Sequence, residues 1–220
     1  MPSSKIEHFN IKLIRNISDG EPLIIGHISY TITNKVKIHI SGLYIYYENE
    51  KGKGYGYGLM ILLLCYVIKT FDNAYYIKKI YLEDCSDCSM TKNSLYYKFG
   101  FRITDTSSAD VMSIDFLHPE LSSHLKSKYH VYEGDDDVSS IYHKTIMDLY
   151  DNVLGTDKYK KIINDMNDEI KSNRILVASY KLNDSTNDYE FQSYINVSEC
   201  LNIDEKKTDY ERITRSRNLY

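Results

Sequence analysis

The sequence predicts an α+β fold: a sheet-forming first half followed by an α+β C-terminal extension. Three observations predict it. Apolar residues alternate with polar ones in runs between Ile6 and Tyr47, the period of half-buried strands. The glycine-rich stretch Lys51-Gly-Lys-Gly-Tyr-Gly-Tyr-Gly58 then opens a continuous apolar run over residues 59–68. Beyond residue 137 apolar residues recur at helical spacing, before strand-like alternation returns at Arg174.

Taken in order, residues 6–15 read as a first strand and Ser18-Asp-Gly-Glu-Pro22 as a turn. Residues 23–33 form a second strand with Ile28, Tyr30 and Ile32 on one face. Val36, Ile38 and Ile40 continue at even positions, and Leu43, Ile45 and Tyr47 take over at odd ones. A period of two changes face only where the chain turns or bulges, so Ser41-Gly42 is a hairpin turn or a bulge, and the hairpin is the expectation. The run over 59–68 is apolar nearly all round, which fits a buried helix. Residues 77–83 read as a strand, and Asp84-Cys-Ser-Asp-Cys-Ser89 as a polar break. Residues 91–99 make a short helix with Gly100 where a C-terminal capping glycine belongs, and a hairpin follows around Asp105.

After Pro119 the composition shifts. Residues 121–128 and 138–154 read as helices. So do residues 158–171, where Tyr159, Ile162, Ile163, Met166 and Ile170 recur at helical spacing. Residues 174–182 and 189–197 pair as a hairpin, and the tail from Asp204 is polar. The division expected is a domain over 1–118 and an extension over 119–220.

Composition narrows the function. A chain of 220 residues that is 42% hydrophobic and 26% charged is ordinary for a globular protein, which excludes disorder over most of its length. Its net charge of −4 lacks the basic excess of a duplex nucleic-acid binder, so no nucleic-acid partner is expected. Four cysteines do not read as a disulfide framework, and Met-Pro-Ser-Ser-Lys lacks the apolar core of a secretory signal. The longest apolar run is about half of the ~20 residues that a membrane span needs. A cytoplasmic protein without a membrane partner is the expectation.

The glycine stretch holds the chemistry. Glycines at 52, 54, 56 and 58 remove side chains, so successive backbone N–H groups can face one ligand. The following helix adds its own unpaired N–H groups and the positive end of its dipole, an anion site suited to a pyrophosphate. The plainer alternative is a turn that merely joins strand to helix. A P-loop is excluded because Lys53 precedes Gly54 rather than Ser or Thr, and the glycine spacing breaks the dinucleotide fingerprint.

Lys51-Gly-Lys-Gly-Tyr-Gly-Tyr-Gly-Leu-Met resembles the Arg/Gln-x-x-Gly-x-Gly/Ala loop of GCN5-related N-acetyltransferases (GNAT), with Lys51 for Arg/Gln and Gly54 and Gly56 as the required glycines. About 40 residues on, Ser94-Leu-Tyr-Tyr-Lys-Phe-Gly-Phe101 resembles that family's Leu-Tyr-x-x-x-Gly-Phe signature. The resemblance covers roughly residues 5 to 117. It implies a mixed, mostly antiparallel sheet whose fourth strand (here residues 43–48) and fifth (77–83) splay apart around acetyl-CoA. It also implies no metal. Lys51, Gly52, Lys53, Gly54, Tyr55 and Gly56 would cradle the pyrophosphate, and backbone N–H groups around Tyr44, Ile45 and Tyr46 would bind the thioester carbonyl. An amine would attack directly, with Tyr96 protonating the departing thiolate and Glu83 the first candidate for the base, ahead of Asp84 and Glu48. The acceptor class implied is a primary amine: a protein lysine, a protein N-terminus, a polyamine or a small amine.

Two departures from the family stand out. It usually places two helices between its first and second strands, where this chain has only residues 16–21. Many members have Asn seven residues before the tyrosine; this chain has Ser89, which the resemblance implies as a cofactor contact with fewer hydrogen-bonding groups. Among rival sites, Cys85-Ser-Asp-Cys88 lacks both a thioredoxin-like context and a second ligand pair for zinc, and His27 and His39 read as structural strand residues. The competing functions are a catalytically silent CoA-binding or interaction module on the same fold, and an interaction domain whose glycine loop is only structural.

Overall fold

Period-two patterning yields strands over most of the first half where it was expected, though the strand expected over 43–48 ends at Ile45. The computed structural model describes residues 5–17, 20–34, 37–71, 79–85, 94–99, 101–103, 111–115 and 156–200. Strands β1 (Ile6–Arg15), β2 (Leu23–Thr33) and β3 (Lys37–Ile45) form an antiparallel meander. Three strands therefore precede the glycine loop, where four were expected. The hairpin at Ser41-Gly42 is a bulge instead: β2 runs on past it, with Ser29 opposite Gly42 and Tyr30 opposite Ile40, which leaves Ser41 as the extra residue. A two-residue hairpin needs positive φ in its turn, and Gly42 does not have it. The bulge turns the odd-numbered Leu43 and Ile45 to the same face as Ile38 and Ile40, which explains the change of parity.

Helix α1 (Tyr55–Phe71) follows the loop and buries every residue from Leu59 to Cys65. It returns the chain to β4 (Lys79–Glu83), which runs parallel to β3, as a strand–helix–strand crossover requires. The short α2 (Leu95–Lys98) leads to β5 (Arg102–Ile103) and β6 (Val111–Asp115), an antiparallel pair with β6 against β4. In the C-terminal half, α3 (Asp157–Lys171) leads into β7 (Ile175–Asn183) and β8 (Asp188–Tyr194), the expected helix and hairpin.

That hairpin joins the main sheet. β7 pairs antiparallel with β1, and among the described residues the strand order is β5-β6-β4-β3-β2-β1-β7-β8. The fourth antiparallel strand on the loop side thus comes from the C-terminal half. One sheet face carries Ile11, Leu13, Ile28, Ile38, Ile80 and Val177 into a core shared with α1 and α3. The opposite face is mixed, with Lys12, His27 and His39 among its residues. The boundary expected at 118 and the helices expected over 121–128 and 138–154 lie outside the described residues.

Candidate active site

The sheet opens where β3 and β4 part. They pair over only four positions, Lys37–Ile40 against Lys79–Leu82, and β3 then runs on to Ile45 without β4 beside it. Antiparallel pairing lets every second residue exchange hydrogen bonds with its partner strand, while the residues between point theirs away. The Tyr46 N–H donates to the Ile25 carbonyl at 3.0 Å. Counting back, Tyr44 also faces β2, whereas Leu43 and Ile45 turn their N–H groups to the opened edge. Of the three amides expected to meet a thioester, only that of Ile45 faces the gap. The Tyr44 and Tyr46 amides are directed into the sheet, and their side chains are exposed on the open face. Tyr46 hydrogen-bonds His27 Nδ1 at 2.5 Å, and burial, helped by Lys12, lowers the His27 pKa.

At the far end of β3, a 3-10 turn (Glu48–Glu50) feeds the glycine loop. Gly52 and Gly54 have φ of 77° and 86°, left-handed values that a side chain would strain. The first helical bond, Gly58 N–H to the Gly54 carbonyl at 2.9 Å, leaves the N–H groups of Tyr55, Gly56 and Tyr57 at the start of α1 without intrahelical partners. A Cβ on Gly56 would meet nothing within 4 Å, so that side of the helix end is open. A Cβ on Gly58 would lie 2.0 Å from Met166 Sδ. The four glycines therefore do different work: two shape the turn, one opens the helix end, and Gly58 admits α3.

The charged residues of this loop are already paired. Lys51 bonds Glu48, and Lys53 bonds Glu50 at 2.9 Å. Glu50 is buried and also receives Arg15 Nη2 at 2.7 Å. Burial alone would raise the Glu50 pKa, but hydrogen bonds from Lys53 and Arg15 outweigh it and hold it below the usual value. The Tyr55 side chain points inward. Its hydroxyl donates to the Glu169 carboxylate at 2.9 Å and accepts from Arg15 at 3.1 Å. Burial, then the bond to Glu169, pushes its pKa to about 12. Tyr55 can thus serve a ligand in the loop only through its amide.

Tyr96 stands on α2, on the core side of the opening. Ser94 caps that helix: its Oγ accepts the Tyr96 N–H at 3.2 Å and donates to Asp84 at 2.6 Å. Asp84 is fully buried, next in line after Ile80 and Leu82 on the core face of β4. Tyr96 itself is largely buried, its ring edge-on to Phe101. Burial first, then the Asp84 charge and to a smaller extent Tyr44 and Cys85, raises its pKa to about 12. Glu83 is exposed and alternates to the opposite face, with Tyr81, whose ring stacks on His39. The structure therefore puts the phenol and the Glu83 carboxylate on opposite sides of the sheet. Ser89 and Cys88 lie outside the described residues, and Cys85 is exposed with a free thiol.

Sequence reasoning ranked Asp84 below Glu83 and passed over Arg15, Glu50 and Glu169. Alternation from Ile80 through Leu82 was a usable signal that Asp84 points inward. No local signal marks Glu169, which reaches Tyr55 across 114 positions. Among the described residues, no group of three or more His, Cys, Asp or Glu side chains could hold a metal ion, and no helix is long and apolar enough to cross a membrane.

A parallel strand pair that opens beside a glycine loop and a helix N-terminus defines a GNAT-like α+β fold. No protein-family description and no curated protein matches the sequence. Among solved structures, the chain is similar to the KacTA–DNA complex, with a TM-score of 0.38, 14% identity, and coverage of 50% of this chain and 68% of that one. It is also similar to a tyrosine-to-phenylalanine mutant of the AtaT toxin bound to the C-terminus of the antitoxin AtaR (TM-score 0.35, 14% identity, 43% and 61% covered). A third is Ard1 from Thermoplasma volcanium (TM-score 0.31, 18% identity, 41% and 60% covered). Scores of this size place no constraint on substrate or mechanism, and the functional case rests on the geometry of the site.

Proposed function

We propose that the chain is an N-acetyltransferase that moves an acetyl group from acetyl-CoA to a primary amine by direct attack. The observation that carries this reading is the opened β3 edge, which runs from the bulge at Ser41 to the glycine loop and the bare N-terminus of α1. Along that line the Ile45 amide suits a pantetheine or thioester carbonyl, and the amides of Gly54, Tyr55 and Gly56 suit a pyrophosphate. Lys51 and Lys53 add positive charge at the loop, which their carboxylate partners partly offset.

In this reading the amine nitrogen attacks the thioester carbon, the C–S bond breaks, and the amine proton leaves to a base or a water chain on the open face, where Glu83 is the nearest carboxylate to the end of β4. Tyr96 faces the leaving sulfur. A phenol at about 12 against a thiol of about 8.5 is a mismatch of about 3.5 pKa units, so outright protonation of the thiolate is uphill. Tyr96 fits better as a hydrogen-bond donor to the developing thiolate, which takes its proton from solvent as CoA leaves. Asp84 acts through it, fixing α2 by way of Ser94 and keeping the phenol protonated.

Acetyl-CoA should raise the melting temperature of the intact chain at millimolar ligand, and its failure to do so would remove the cofactor assignment. A catalytically silent CoA-binding module is the second reading, favoured by the packing of Tyr96 against the core. Binding without acetylation of any amine offered would select it.

A further inference from the structure

We propose that α3, from the C-terminal half, is part of the acyl-CoA site, and that Glu169 is a positioning residue for the glycine loop, acting through Tyr55 and Arg15. The proposal rests on the coenzyme A reading of that loop. Its carrier is one stripe of α3. Tyr159 lies 5.9 Å, centroid to centroid, from Tyr57; Ile162 is 3.5 Å from where a Gly54 Cβ would stand; Met166 fills the space left by Gly58; Glu169 bonds the Tyr55 hydroxyl. These positions are spaced i, i+3, i+7 and i+10, so a single helix face meets residues 57, 54, 58 and 55 respectively.

The contacts match the parts of the loop that set ligand geometry. Gly54 is the residue before α1, and Tyr55 and Tyr57 carry two of the three N–H groups left without helical partners. Helix end and loop are also joined electrically: Glu169 holds Tyr55 and lies 3.9 Å from Arg15, and Arg15 binds Glu50, which binds Lys53. Loss of Glu169 leaves Arg15 with one carboxylate where it had two and the Tyr55 hydroxyl held by Arg15 alone. The amides at the start of α1 then lose the fixed direction that a pyrophosphate requires, while the groups around Tyr96 are untouched.

The test compares acetyl-CoA affinity and turnover in the full chain for wild type, Glu169→Gln, Tyr55→Phe and the double variant. Asp165→Asn, on the exposed face of α3, is the control. The expected result is that Glu169→Gln and Tyr55→Phe each raise the acetyl-CoA Kd and KM about five- to tenfold with kcat within about twofold. The double variant should be little worse than Tyr55→Phe, because Glu169→Gln weakens the charge-assisted bond that Tyr55→Phe removes. Tyr55→Phe keeps the buried ring in place, so it remains informative should Glu169→Gln destabilise the fold. Wild-type affinity in both single variants would overturn the role of Glu169, and a drop in kcat at unchanged KM would do the same. Absence of acetyl-CoA binding by the wild-type protein would instead remove the coenzyme A reading on which the proposal stands.

Discussion

The two ends of the opened β3 edge are built in contrasting ways. At the glycine loop, five side chains from β1, the 3-10 turn, the loop, α1 and α3 form one ion-paired network around the buried Glu50. At the other end, the mouth, a single buried carboxylate, Asp84, fixes a serine cap and through it the start of α2, which carries Tyr96. The loop is held by many partners and offers backbone amides; the mouth is held by one and offers a side chain. The difference teaches where substitution should act: at the mouth on the rate, at the loop on affinity and stability.

The sharpest way to break that contrast is Tyr96→Phe. Turnover should fall about 10²- to 10³-fold in steady-state assays with an amine acceptor, the loss of one donor to developing charge, while acetyl-CoA affinity stays unchanged. A loss of affinity without a loss of rate would reverse the assignment of the two ends. Next in size is Glu50→Ala. It strips Arg15 and Lys53 of their shared partner and should cost about 2–3 kcal/mol in denaturant titration, discounted from a fully buried pair because Arg15 and Lys53 keep contact with solvent. It should also weaken acetyl-CoA binding.

The smallest effect is on pH dependence. Tyr55, Tyr96 and Tyr159 have pKa values raised to about 12, so the folded chain holds these phenolic protons more tightly than the unfolded chain. Their contribution to stability is complete below the unfolded value near 10 and is lost as pH climbs from there towards 12. Absorbance titration at the phenolate band should show a late-ionising group of tyrosines, and melting temperature should fall over the same window. If Tyr96 alone titrated early, neither burial nor the Asp84 charge would be acting on it as the structure has them.

Much of the sheet was legible because alternation is a local property. Ile6–Arg15, Leu23–Thr33 and the C-terminal hairpin each carry their own period. The bulge was legible only as a change of parity: Ser41-Gly42 reads equally well as a turn, and the difference lies in whether β2 continues alongside. At the site, the glycine loop was visible as a motif, but its four glycines looked equivalent until Met166 occupied the space beside Gly58. Tyr55 looked like a loop residue, yet its hydroxyl belongs to the interior.

By itself the sequence determined most of the strands and the buried helix after the loop, since these follow from spacing within a few neighbours. Only the tertiary structure decided that β7 joins β1, that Asp84 lies beneath Tyr96, and that α3 backs the glycine loop. Those relations depend on contacts between residues far apart in the chain, whose pairing no local period encodes.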